Sequence, residues 1–73
     1  MAADVRGALG QRIERARSGR SRCGVCRKTI ARGEPRYGEY KDLWSSQVVW
    51  HHLACAAPVR KRALAEALER WTP

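Results

Sequence analysis

The clearest periodic signal lies near the C-terminal end, where Ala63, Leu64, Ala67, Leu68 and Trp71 recur at about 3.6-residue spacing. That spacing predicts a helix with one apolar stripe against a core; Arg60, Lys61, Glu66, Glu69 and Arg70 fall elsewhere around it. Pro58 suits the first turn of this helix, where its missing N–H has no partner to lose. Upstream the period changes. Tyr37-Gly38-Glu39-Tyr40-Lys41 alternates aromatic with polar positions, and Gln47-Val48-Val49-Trp50-His51 is β-branched and aromatic. Both segments predict strands, with Asp42-Leu43-Trp44-Ser45-Ser46 as the hairpin loop between them. Residues 11–17 carry one large apolar residue, Ile13, so periodicity leaves helix and strand both open there. Ser18-Gly19 and Ala31-Arg32-Gly33-Glu34-Pro35 read as turns. Residues 1–10, rich in Ala and Gly, are expected to form a poorly ordered N-terminal segment, and 11–73 a single domain.

Composition explains why such a chain needs help to fold. It has 73 residues, no Phe, and 15 Lys+Arg against 7 Asp+Glu, for a formal net charge of +8. A domain of this size buries only about 60% of the surface its unfolded chain exposes, so a disulfide, a metal or a partner usually completes it. Three cysteines cannot all pair within one chain, which favours a metal. The longest uncharged stretch, residues 43–59, is interrupted by Ser, Gln, two His and Pro, unlike a membrane span or a signal peptide. The expectation is a soluble intracellular protein, in a compartment that keeps thiols reduced. Charge is distributed as basic, neutral, basic: eleven Lys and Arg lie in residues 6–41, none in 42–59, and four in 60–70.

Cys23-x-x-Cys26 and, 25 residues later, His52-x-x-Cys55 make the Cys3His set that tetrahedral Zn²⁺ favours. Each pair can reach one ion from a tight turn or a helix start, and the ion then clamps the ends of the intervening loop, so binding energy becomes folding energy. Four protein ligands leave no open position, which indicates a structural zinc rather than a catalytic one. A redox Cys-x-x-Cys is the weaker reading, because no βαβ pattern surrounds it, and iron–sulfur ligation usually takes four thiolates. Neighbours on a strand face opposite ways, so only one of His51 and His52 can bind. His52 has the required spacing to Cys55, leaving His51 as a half-exposed strand residue. Trp50 and Ile30 flank the ligands and are assigned to the core. Zinc with three thiolates would lower the net charge to about +7, still a field that attracts polyanions.

From Gln11 to Cys55 the chain resembles the zinc finger of the poly(ADP-ribose) polymerase type, also present as the nick-sensing finger of a eukaryotic DNA ligase. The resemblance rests on Ser18-Gly19-Arg20 just before Cys23-x-x-Cys26, on Ile30 and Arg36 at matching distances beyond it, and on Trp50-x-His52-x-x-Cys55. The segment between Arg36 and Trp50 is shorter than the family's, and the chain has no room for a transferase or ligase domain. The resemblance implies a small α+β zinc finger, with a short antiparallel sheet and a C-terminal helix, and decides residues 11–17 for strand. It further implies recognition of DNA nicks and ends by shape. Arg20 and Arg36 match phosphate-contacting positions, and Arg17 matches a basic one. Leu43, Trp44 and Val48 correspond, more loosely, to apolar loop-tip residues that stack on the exposed base pair.

The expected function is therefore a non-enzymatic zinc module that binds broken DNA, alone or beside a repair protein, with no membrane and no small-molecule substrate. Electrostatics would supply affinity and stacking a preference for termini. The alternative is a zinc-stabilised adaptor whose Leu64, Leu68 and Trp71 stripe meets a partner chain; an enzyme is disfavoured because no Cys would remain free. Arg60, Lys61 and Arg62 crowd the start of the last helix against its dipole, an arrangement that a phosphate or simple surface tolerance would explain.

Overall fold

A computed structural model describes residues 11–42 and 44–71. The expectations for residues 1–10 and for Leu43 fall outside the described residues. Strands β1 (Arg12–Arg15), β2 (Pro35–Tyr40) and β3 (Val48–His52) form one antiparallel sheet in the order β1-β2-β3. Two helices follow without interruption, α1 (Leu53–Val59) and α2 (Lys61–Arg70). The expected small α+β architecture, a short antiparallel sheet with helix at the C-terminal end, is the one the chain adopts.

Register explains how so polar a β1 holds its place. Ile13 pairs with Tyr37, and Tyr37 with His51, making one row across the sheet. Glu14, Arg36 and His52 make the next row, which faces the opposite way because strand side chains alternate. The first row contributes Ile13 and Tyr37 to a core with Ala56, Leu64 and Ala67, against which Leu53, Ala63 and Trp71 also pack. A smaller cluster of Ala16, Cys23 and Ile30 gathers the partly buried Cys26, Trp50 and Cys55. The stripe on α2 thus packs largely on its own sheet, with Leu64 and Ala67 buried and Leu68 left exposed.

Three expectations require correction. Pro58 does not open the last helix; it lies inside α1, near its end. Its ring removes an N–H from the helical ladder, and two residues later Arg60, at φ −135° and ψ 47°, separates the helices. Its neighbour α2 begins at Lys61, and the Arg60 charge at its start is met by Glu39, whose carboxylate accepts from Nε at 2.9 Å. His51 is buried rather than half-exposed, its ring tilted against Tyr37 at 5.9 Å between centroids. Trp50 is only partly buried: one side packs against the smaller cluster and the other is covered by arginine.

Candidate metal centre and its basic flank

The first ligand pair sits on a tight hairpin knuckle. Arg22 and Thr29 form an isolated antiparallel bridge, Cys23 N–H donates to Lys28 O at 2.9 Å, and Arg27 N–H returns to Cys23 O at 3.0 Å. Closing this turn puts Arg27 at φ 67°, in the left-handed region that favours glycine. The knuckle is tied to the sheet where Gly24 N–H donates to Trp50 O at 2.9 Å. His52, the last residue of β3, and Cys55, in the first turn of α1, bring the second pair to the same point.

The ligand atoms of Cys23, Cys26, His52 and Cys55 all lie within 4.8 Å of one another. His52 Nδ1 is 3.4 Å from Cys26 Sγ and 3.8 Å from Cys55 Sγ. A tetrahedral ion with Zn–S near 2.3 Å and Zn–N near 2.0–2.1 Å sets N···S edges of about 3.6 Å, between the two distances that His52 Nδ1 makes here. On the far side of the ring His52 Nε2 is 3.2 Å from the Thr29 carbonyl. That contact holds Nε2 as the donor and leaves Nδ1 free to bind, the usual outer-shell support of a ligating imidazole.

The thiols are not equivalent. Burial alone would raise the Cys23 pKa, but hydrogen bonds from the backbones of Cys26, His52 and Val25 and from the His52 side chain outweigh it and bring the group down to about 6. One of these bonds runs from Val25 N–H to Cys23 Sγ at 3.4 Å. Cys55 is pushed up to about 11, first by burial and then by the neighbouring sulfurs of Cys23 and Cys26. One preformed thiolate beside a thiol that resists ionisation alone is what a shared dication resolves, because the ion supplies the missing positive charge. His51 takes no part: it faces away from His52, and its buried Nδ1 has no hydrogen-bond partner.

Beside the ligands, on the face shared by Glu14, Arg36 and His52, lies a constellation that residue spacing did not suggest. Trp50 lies over Gly38, its cross-strand partner, where a Cβ would overlap the indole. The Arg36 guanidinium lies over the Trp50 ring, with Cζ 3.7 Å from the ring centroid. Arg36 also donates from Nη2 to Glu14 at 3.0 Å and from Nη1 to Ser21 Oγ at 2.9 Å, and its side chain is only 9% exposed. A buried cation held by a carboxylate, a hydroxyl and an indole behaves as a structural strut. Gly38, which lacks a side chain where Trp50 lies, is the sequence feature that becomes a signal of this constellation once the register is known.

The remaining expected contact residues are spread over the surface. Arg17, with a side chain 88% exposed, reaches Glu14 only at 3.9 Å. Arg20 is exposed, its turn braced by the Arg20 N–H on Ser18 Oγ at 3.3 Å. Trp44 is 92% exposed at the β2–β3 loop, where its N–H donates to Asp42 Oδ1 at 2.9 Å. Val48 is half-buried and pairs with Tyr40. The structure therefore unites the four metal ligands, places Arg17 beside Arg36 through Glu14, and keeps Trp44 free of the core. No helix among the described residues is long and apolar enough to cross a membrane. In comparisons with known proteins, no family model matches the chain and no curated protein is similar enough to stand as a relative.

Proposed function

We propose that the protein is a zinc module that binds broken DNA, nicks and ends, without catalysing a reaction. The observation that carries this reading is the Cys3His group within 4.8 Å, with an indole left 92% exposed on the same small basic body. Three sulfurs and one imidazole nitrogen within reach of one ion suit Zn²⁺ better than harder cations, and four protein donors leave it no site for an activated water. With all three cysteines taken as ligands, no thiol remains for redox or acyl-transfer chemistry. Such a domain belongs in a compartment where thiols stay reduced.

A net charge of about +7 with zinc draws the domain to phosphates, each of which releases counterions when neutralised. Arg17 and Arg20, exposed and close in sequence to the knuckle, are among the guanidiniums available for that contact. Arg36, engaged by Glu14 and Ser21, contributes its charge to the same face from beneath. Trp44 offers an apolar ring to a base pair that has lost its neighbour, a contribution of about 1–3 kcal/mol that an intact duplex cannot use. Affinity therefore comes from arginine and preference for a terminus from tryptophan. Binding of the zinc-loaded protein to nicked, blunt-ended and closed-circular DNA at one moderate salt concentration tests the reading. Tighter binding to the first two, reduced selectively by Trp44→Ala, is expected; equal affinity for all three overturns it.

A further inference from the structure

Three guanidiniums converge on one carboxylate. Glu14 lies 3.0 Å from Arg36 Nη2, 3.6 Å from Arg12 Nε and 3.9 Å from Arg17 Nε. Three positive charges against one negative leave a local surplus of about +2. The three arginines differ in access: their side chains are 9%, 42% and 88% exposed for Arg36, Arg12 and Arg17. Arg36 Nε is buried without a hydrogen-bond partner, so this cation is not fully compensated from within the protein. Trp50 forms the floor, with Arg36 Cζ at 3.7 Å and Arg12 Cζ at 5.5 Å from its centroid.

Four other described carboxylates are engaged elsewhere, Asp42 among them, which accepts from the Trp44 backbone. Glu39 holds Arg60, Glu34 accepts from the Ala31 backbone, and Glu66 accepts from Gln11. We propose that Glu14 is a positioning residue and an internal anion: it gathers Arg12, Arg17 and Arg36 into one phosphate site and lowers the affinity of that site for a phosphodiester backbone. The proposal adds Arg12 and Glu14 to the site and rests on the reading that nucleic-acid phosphate is the ligand. An incoming phosphate exchanges with Glu14 for the two exposed guanidiniums, whose contacts with it are the longer ones. Arg36 keeps its short bond to Glu14 and remains stacked on Trp50. Because Glu14 and the phosphate are both anions that use the same donors, the carboxylate opposes binding even as it orients the partners.

The test uses the zinc-loaded full chain with Glu14→Gln, whose amide keeps an acceptor for Arg36 but removes the charge. Affinities are measured for nicked duplex, closed-circular duplex and inorganic polyphosphate across a salt series. Loss of one like charge about 4 Å from the phosphate is worth about fivefold, so all three ligands should bind about fivefold more tightly at low salt, and the gain should shrink as salt rises. A uniform gain supports the proposal even where nicked and closed DNA bind equally, an outcome that would sink only the preference for breaks. Unchanged or weaker binding by a Glu14→Gln protein with full zinc content and wild-type circular dichroism overturns it. Arg12→Gln and Arg17→Gln decide the matter should Glu14→Gln fail to fold. Each should weaken binding to all three ligands two- to threefold and flatten the salt dependence, by less than one whole ion because Glu14 already shares the charge. Unaltered binding by both arginine variants overturns the proposal.

Discussion

Ile13, Tyr37, Ala56, Leu64 and Ala67 form a core of the ordinary kind, in which a sheet face and a helix stripe exclude water from one another. Ala16, Cys23 and Ile30, with the partly buried Cys26, Trp50 and Cys55, form a second cluster in which two of the three buried residues are no larger than a cysteine. The first cluster draws its cohesion from apolar area; the second has too little of it, and half of its members carry sulfur that would repel its neighbours if ionised without a cation. A chain this short therefore uses two different sources of cohesion. Burial closes α2 over the Ile13 and Tyr37 face of the sheet, and a metal held by the Cys3His group would join the knuckle to the β3–α1 junction. The coordinated half is also the one that carries the basic flank, so the geometry around Arg36 depends on the less self-sufficient of the two.

The most severe test removes the ligand set. Cys23→Ala, or chelation of the wild-type protein, should abolish cooperative unfolding in calorimetry, since structural zinc is typically worth about 10–16 kcal/mol and this domain has little to replace it. A sharp transition persisting in the chelated protein would mean that the helix-covered core suffices alone. Proton competition should follow. Wherever the metal-free chain retains its fold, Cys23, near 6 when folded against 9.0 ordinarily, contributes stability that is complete above pH 9 and disappears as pH falls from 9 to 6. Cys55, near 11 when folded, works in the opposite sense: its contribution is intact below pH 9 and is lost as pH rises through 11. Zinc binding at pH 7.5 must expel the Cys55 proton, so titration in weak buffer should release acid. Affinity should also fall by about tenfold per pH unit for each proton displaced between pH 8 and 6. A pH-independent affinity would contradict thiolate ligation.

On the other side of the comparison, Leu64→Ala should cost about 2–5 kcal/mol in thermal or denaturant unfolding while leaving metal stoichiometry at one. Loss of the metal together with the helix would show that the two clusters fold as one unit. Between them, Gly38→Ala should displace the Trp50 ring and with it Arg36, costing about 1–3 kcal/mol and shifting tryptophan emission while zinc stays bound. The smallest effect belongs to the knuckle turn. Arg27→Gly should be neutral or stabilising by up to about 1 kcal/mol, because at φ 67° the relief of the left-handed penalty competes with the entropy glycine loses on folding. A clear destabilisation would mean that the Arg27 side chain makes a stabilising contact in the folded domain that outweighs the backbone relief.

Much of this was legible from residue order. The 3.6-residue recurrence of Leu64 and Ala67 marked the buried stripe of α2, and alternation marked β2 and β3 within two residues of their bounds. The two three-residue offsets, Cys23 to Cys26 and His52 to Cys55, marked the ligands because coordination fixes spacing more tightly than packing does. Strand alternation allowed only one of His51 and His52 to bind, the offset to Cys55 selected His52, and the sheet register puts the two residues on opposite faces. Pro58 misled because its preference for a first turn is a statistical one, and here a helix begins earlier, at Leu53, and carries Cys55 in its first turn. The exposures assigned to His51 and Trp50 failed for a common reason, that each depends on what lies across the sheet: Tyr37 for the first, Gly38 and Arg36 for the second.

Sequence alone determined the ligand types, their spacing and the excess of guanidinium, since these are properties of single residues and short offsets. Tertiary structure alone decided which arginines are occupied and which are free. Arg36 and Arg17 are indistinguishable as letters, yet one is locked between Glu14, Ser21 and Trp50 and the other extends into water. Burial and pairing are set by residues far apart in the chain, whose meeting depends on strand register, and no local pattern encodes that register for a strand as short and polar as β1.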